Sequence, residues 1–161
     1  MKELLTKIRG KAGRVGAVLA LLAGTTVAGI AMAPTASAAS CYGDYCSGQD
    51  PAATGCAADG VTVAATDVYV NNWLGQRVYG GFLELRWSPN CKTNWARFSP
   101  QQGFSYNLTA YQPQTGYRQD YSKPAWATAW TSQIYSPTKC VYAEMHSTGF
   151  YFTGTTRTAC I

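Results

Sequence analysis

Arg77-Val78-Tyr79-Gly80-Gly81-Phe82-Leu83-Glu84-Leu85-Arg86-Trp87 is the stretch that decides the class of fold. Two adjacent glycines suit a two-residue primed turn, where positive φ is needed. A turn at Gly80-Gly81 predicts a hairpin that pairs Tyr79 with Phe82, Val78 with Leu83, Arg77 with Glu84 and Leu74 with Trp87. Leu74, Val78, Leu83, Leu85 and Trp87 then share one face. Arg77, Tyr79, Phe82, Glu84 and Arg86 share the other. A slip of one residue would mix the two sets, so the pattern specifies a half-buried antiparallel sheet.

The same period of two recurs on both sides. Phe104, Tyr106, Leu108 and Ala110 alternate with polar residues, and Val141, Ala143 and Met145 alternate with Cys140, Tyr142 and Glu144. Val61, Val63, Val68 and Val70 mark an earlier strand with a break near Ala64-Ala65. Turn-forming clusters separate these runs at 88–90, 99–100, 112–116, 136–137 and, before Phe150-Tyr151-Phe152, at 146–149. Asp50 as N-cap, Pro51 at the first helical position and Gly55 as a stop predict one short N-terminal helical turn. The expected fold is mainly β: a small, disulfide-stapled antiparallel sandwich or barrel. Trp87-Ser88-Pro89-Asn90-Cys91 echoes Tyr135-Ser136-Pro137-Thr138-Lys139-Cys140, which reads as two strand ends, each with a proline turn and a nearby staple.

Cys41, Cys46, Cys56, Cys91, Cys140 and Cys160 form an even set, all beyond the first forty residues. The preceding residues read as an export signal. Lys2, Lys7, Arg9, Lys11 and Arg14 precede an apolar stretch over about 15–32, and Ala36-Ser37-Ala38 fits a cleavage box. Residues 1–38 are thus expected to be a signal peptide, and 39–161 a single secreted domain that is oxidised after export. Five of the 13 basic side chains and one of the 8 acidic ones lie in residues 1–38, leaving eight and seven, so the domain is nearly neutral. Its scattered Lys and Arg do not make a phosphate-binding track, which argues against nucleic acid as partner. No segment after the leader is long and apolar enough to span a membrane.

Catalytic and metal chemistry find little footing. His146 is the single histidine. A hydrolase would need it as base, with Ser147 or Ser132 and with Glu144 or Asp120, but it reads as a solvated turn residue. A glycosidase pair cannot be chosen among the seven acids, and Glu84 reads as the hairpin partner of Arg77. The cysteine spacings lack the short paired knuckles of zinc modules. Asp44, Asp50 and Asp59 do not form a calcium loop. No catalytic residue, metal or cofactor is assigned. What remains is aromatic surface. Tyr111, Tyr117, Tyr121, Trp126, Trp130 and Tyr135 are the candidate recognition platform for sugar rings or a protein, although filling a small β core is the favoured use of any single one. Arg86 and Arg97 are candidate anion contacts, although covering the sheet or pairing locally with Glu84 is the favoured reading. Trp87 and Trp95, beside Cys91, are expected in the core.

The run Cys41-Tyr-Gly-Asp-Tyr-Cys46-Ser-Gly-Gln-Asp50-Pro51-Ala-Ala-Thr-Gly55-Cys56, then Leu83-Glu84-Leu85-Arg86-Trp87-Ser88-Pro89-Asn90-Cys91, then Trp95-Ala96-Arg97, resembles an exported actinobacterial family, domain of unknown function 2690. The resemblance is strongest over 41–97. It implies a secreted or surface-exposed domain and no particular reaction. Six cysteines allow 15 connectivities. The motif block implies that Cys41, Cys46, Cys56 and Cys91 pair among themselves and Cys140 with Cys160, although a hairpin turning at 146–149 would not set those last two directly opposite. The leading expectation is a non-catalytic binding or structural domain, secreted or held at the cell wall, whose partner is an extracellular protein or a cell-wall glycan. An inhibitor or toxin-accessory protein, using loops at 112–131, is the first alternative, and an envelope hydrolase the second.

Overall fold

The computed structural model describes residues 38–121 and 126–161. The expected signal peptide lies outside the described residues except for Ala38. The strands, in chain order, are β1 Val61–Asn72, β2 Arg77–Ser88, β3 Thr93–Pro100, β4 Tyr106–Gln112, β5 Tyr117–Tyr121, β6 Ala129–Trp130, β7 Ile134–Tyr135, β8 Tyr142–Ser147, β9 Phe152–Thr153 and β10 Thr155–Arg157. They form two antiparallel sheets. One runs β6-β3-β2-β1-β9, with β7 also on β3, and the other β10-β8-β4-β5. The fold is mainly β, as the alternation predicts.

The two sheets close over one core. Val68, Val70, Leu83, Leu85, Ala96, Phe98 and Ile134 come from the first sheet. Tyr106, Leu108, Ala110, Ala143 and Met145 come from the second, flanked by Phe104 and Val141. These are the inward positions expected in the 104–110 and 141–145 runs. Phe98 and Tyr106 meet edge to face across the sheets, with ring centres 4.7 Å apart. Burial pushes the Tyr106 phenol well above its usual range, and its hydroxyl donates to the carbonyl of Ala127.

The hairpin at Gly80-Gly81 is not there. Residues 77–88 are one continuous strand, and the turn that reverses the chain lies at 73–76. Gly80 is the extra residue of a β-bulge: Val68 faces Gly81, while Tyr69 already faces Tyr79. A bulge shifts side-chain parity by one residue, as a two-residue turn also does, so both keep Val78, Leu83 and Leu85 on one face. The glycines serve close approach. Gly81 has φ +148°, and a Cβ there would collide with the Ser99 carbonyl oxygen and the Phe98 ring. The expected pair Arg77–Glu84 is likewise replaced: Arg77 stacks on Tyr69, 4.1 Å from its ring centre. Leu74 is exposed in the turn. A second bulge, at Val63, accounts for the break expected near Ala64-Ala65.

The N-terminal segment folds back on the first sheet. Asp50 caps a turn, its Oδ1 accepting from the amides of Ala52 and Ala53, and Gly55 ends it at φ +79°. That is the expected turn. Two further 3-10 turns, Gly43–Cys46 and Cys56–Asp59, flank it. The disulfides are Cys41–Cys46, Cys56–Cys91 and Cys140–Cys160, the grouping implied by the family resemblance. The last is reached because β8 extends to Ser147 and the turn falls later than 146–149. Past that turn, paired hydrogen bonds between Val141 and Ile161 draw the two ends together. The echoed Ser-Pro stretches are strand ends: Ser88 Oγ donates to Asp59, and Ser136 Oγ to Asn94.

Candidate binding site

Trp130 stands where the N-terminal segment meets the edge of the first sheet. Strand β6 pairs with β3, setting Trp130 beside Arg97 and Ala129 beside Phe98. The next residue locks the strand in place: the Thr131 amide donates to the Ala96 carbonyl, and the Ala96 amide to Thr131 Oγ1. Asp50, 80 residues earlier, divides its carboxylate. Oδ1 caps the turn, and Oδ2 accepts the Trp130 indole N–H at 3.1 Å. The ring is therefore held while 38 % of the residue stays exposed.

Buried amides fix that arrangement from behind. Gln133 Nε2 donates to Thr54 Oγ1 at 2.8 Å, and Thr93 Oγ1 donates to Gln133 Oε1 at 2.7 Å. The backbones of Gln133 and Gln49 join as well. Because each buried polar group is satisfied only in this docking, the network specifies one position for the Asp50 turn against β3 and β7.

A hollow opens on each side of Trp130. One, about 180 Å³, is lined by Pro51, Ala52, Ala57, Arg86, Trp95, Arg97 and Thr128. The other, about 250 Å³, is lined by Asp50, Asp120, Tyr121, Thr128, Ala129 and Ser132. The first brings a second indole and two guanidiniums, and the second a phenol and two carboxylates. Pro51, Arg86, Trp95 and Arg97 all belong to the motif quoted above.

The charges beside these hollows are already compensated. Arg97 donates to Glu84 Oε2 through Nε and Nη2, at 2.6 Å each. Arg86 reaches Glu84 Oε1 at 3.5 Å and also holds Thr62 Oγ1 and the Gly60 carbonyl. Burial alone would raise the Glu84 pKa; the hydrogen bonds from Arg97 and Thr62 and the two positive charges outweigh it and hold the carboxyl below its usual range. Arg86 and Arg97 are therefore partners of Glu84, the local pairing that the sequence favours over an anion contact. Asp120 follows the same logic: burial raises it, and Arg118 and Thr109 pull it lower still.

The other predicted aromatics do not form one platform. Tyr121 joins the Trp130 hollow, with its inner side against the core. Tyr117 and Tyr135 line a separate open groove of about 770 Å³ with Asp44, Gln112 and Lys139. Tyr111 lies on the outer face of the second sheet, edge to face with Tyr142. Trp126 is largely exposed, its ring over Gly103. Trp95 is buried as expected, and Trp87 is half-buried. A further hollow of about 370 Å³ lies between Trp87, Val63, Pro137 and Ile161, near Cys140.

His146, Ser147 and Glu144 each hold a contact within the second sheet and its turn. His146 is a strand residue, not a turn residue; its Nδ1 lies 2.7 Å from Thr155 Oγ1. Ser147 points to the opposite face, buried, with its Oγ donating to the Phe152 carbonyl. Glu144 is ion-paired with Arg157. Among the described residues, one group of metal-ligating types converges: the Sγ atoms of Cys41, Cys46, Cys56 and Cys91, all within 4.8 Å of one another. Each of these sulfurs is committed to a disulfide. Asp44, Asp50 and Asp59 instead hold separate local contacts, to Ser47, the Ala52 turn and the end of β2.

The family model described as "Protein of unknown function (DUF2690)" matches residues 44–144, well over half of the chain. The chain belongs to this family. The match takes in Cys46, Cys56, Cys91 and Cys140, so two of the three bridges reach outside it, to Cys41 and Cys160. It spans the Asp50 turn, β3, β6 and the whole lining of both Trp130 hollows. No curated protein and no solved structure matches the chain.

Neither Gln133 nor Thr54 carried a sequence signal for its part in this site. Both are uncharged, outside any periodic run, and gain meaning only when residues 79 positions apart meet. Trp95, expected in the core, also walls a hollow.

Proposed function

We propose that this protein is a secreted, non-catalytic binding domain acting at the bacterial cell envelope, with Trp130 as the anchor for a sugar ring of an envelope glycan. The observation that carries this reading is the fixed, part-exposed indole of Trp130 between two hollows. A pyranose offers an apolar C–H face and a polar rim. An indole held from behind suits the first, and nearby carboxylates and a phenol suit the second. All six described cysteines are bridged, which supports an oxidising location.

The test is retention of the oxidised protein on insoluble envelope glycan, with competition by soluble saccharide. Trp130→Ala is expected to lower retention about tenfold, the scale of losing one aromatic anchor. Equal retention of Trp130→Ala and the wild type would sink the reading. Capture of a single stoichiometric extracellular protein, with no glycan retention, would move it to the inhibitor class.

A further inference from the structure

The turn between β1 and β2 and the turn before β9 each carry two adjacent, exposed apolar side chains. Trp73 and Leu74 are 70 % and 58 % exposed; Phe150 and Tyr151 are 90 % and 64 %. The strand register brings the two turns together. Strand β9 pairs with the end of β1, Asn72 opposite Phe152, so both turns leave the same end of the sheet side by side. Scattered single apolar residues need no explanation, but four large ones on adjoining tips do.

These tips are built to hold their shape. Asn72 Oδ1 accepts from the amides of Leu74 and Gln76, and its Nδ2 donates to Gln76 Oε1. At the base of the other turn, Ser147 Oγ donates to the Phe152 carbonyl, and Phe152 packs on core Phe104 with ring centres 5.6 Å apart. The indole and its neighbours are thus presented outward by a satisfied backbone rather than left over from a poor core.

We infer that these two tips form a peripheral membrane anchor, with Trp73, Leu74, Phe150 and Tyr151 entering the interfacial layer of a lipid bilayer. Trp, Tyr, Phe and Leu are the residues that partition there. Residues 71–79 and 147–153 contain no acid, and Arg77 at the base is their single charge, placed to meet a lipid phosphate. Two tips of four residues each fall far short of the roughly 20–30 residues a side of a stable protein interface, which disfavours a second copy or another folded protein. No helix among the described residues is long and apolar enough to cross a membrane, so the contact is superficial. Along β1 the tips lie roughly 20 Å from the level of Trp130, at about 3.3 Å per residue. The anchor therefore stands independently of the glycan reading.

The test uses residues 39–161, which carry the whole described core and all three bridges, oxidised and mixed with vesicles of phosphatidylglycerol and phosphatidylcholine in equal parts. Wild type is expected to co-sediment, and brominated acyl chains to quench its tryptophan emission. Trp73→Ser with Phe150→Ser is expected to weaken partition at least about tenfold, given the apolar surface removed. Arg77→Gln is expected to weaken it about fivefold on these vesicles and little on pure phosphatidylcholine. Both variants alter exposed side chains, so unchanged thermal unfolding serves as the check on folding; should the double variant unfold, Leu74→Ser with Tyr151→Ser takes its place. Wild type left in the supernatant, or a folded double variant that binds as wild type does, would overturn the inference. So would a dimer in vesicle-free solution that the double variant abolishes.

Discussion

Glu84 buries its carboxylate under two guanidiniums and the Thr62 hydroxyl, at the junction of β1, β2 and β3. Glu84→Gln keeps the shape and removes the charge, leaving Arg86 and Arg97 uncompensated. Breaking a buried pair by removing one partner costs several kcal/mol, but Arg97 is 37 % exposed and partly rehydrates. The expected loss at neutral pH is about 2 kcal/mol, read from urea denaturation. The pH dependence has a definite sign. Glu84 and Asp120 both have lowered folded-state pKa values. Their contribution is complete above the ordinary carboxylate range, about pH 4, and is lost as pH falls through the lowered values. Unfolding temperature should therefore drop on acidification below about pH 4, and Glu84→Gln should flatten part of that drop. At this scale the candidate site was half legible. Trp130 and Asp50 stood out as an aromatic and a cap, but their hydrogen bond spans 80 residues and has no local signature. Arg77 was expected opposite Glu84 through the hairpin, and Arg97 takes that place, because charge pairing on a sheet depends on a register that local pattern does not fix.

The element that corrects the sequence reading is β2. Alternation around Gly80-Gly81 breaks by one residue, and a primed turn and a bulge both produce that break. What separates them is another strand: β1 runs along β2 from Arg77 to Trp87, on both sides of Gly80, and so leaves no reversal at 80–81. Strands β4 and β8 were legible because each has one face on the core and one in solvent, so their inward residues repeat cleanly. The two-residue strands β6, β7 and β9 were not, since two residues have no period. The bulge yields a prediction of its own. Gly81→Ala places a methyl against the Ser99 carbonyl and the Phe98 ring, at a φ that L residues rarely adopt. It should cost about 2 kcal/mol or more in chemical denaturation. Gly75→Ala, also at positive φ but with nothing within 4 Å of the added carbon, should cost only about 1 kcal/mol. Equal losses at the two positions would mean that close approach of β3 is not what the second glycine serves.

For the whole molecule, three bridges secure regions that the two sheets alone do not. Cys56–Cys91 ties the N-terminal segment to the end of β2, Cys140–Cys160 closes the second sheet before β8 and after β10, and Cys41–Cys46 closes only its own short loop. Their sequence separations are 35, 20 and 5 residues. Constraint of the unfolded chain grows with the logarithm of loop length, so paired Cys→Ser replacements should cost about 4, 3 and 2 kcal/mol in that order. Denaturation midpoints of the three double variants test the ranking. The Cys56–Cys91 variant should also weaken glycan retention, because the turn that carries Asp50 is held to β2 through that bridge. The Cys140–Cys160 variant should lose stability while keeping retention, because none of the residues lining the Trp130 hollows lies on β8 or β10. If both variants lost retention in proportion to stability alone, Trp130 would be positioned by the cooperativity of the entire sandwich, and the Asp50 turn would have no separate part in holding it.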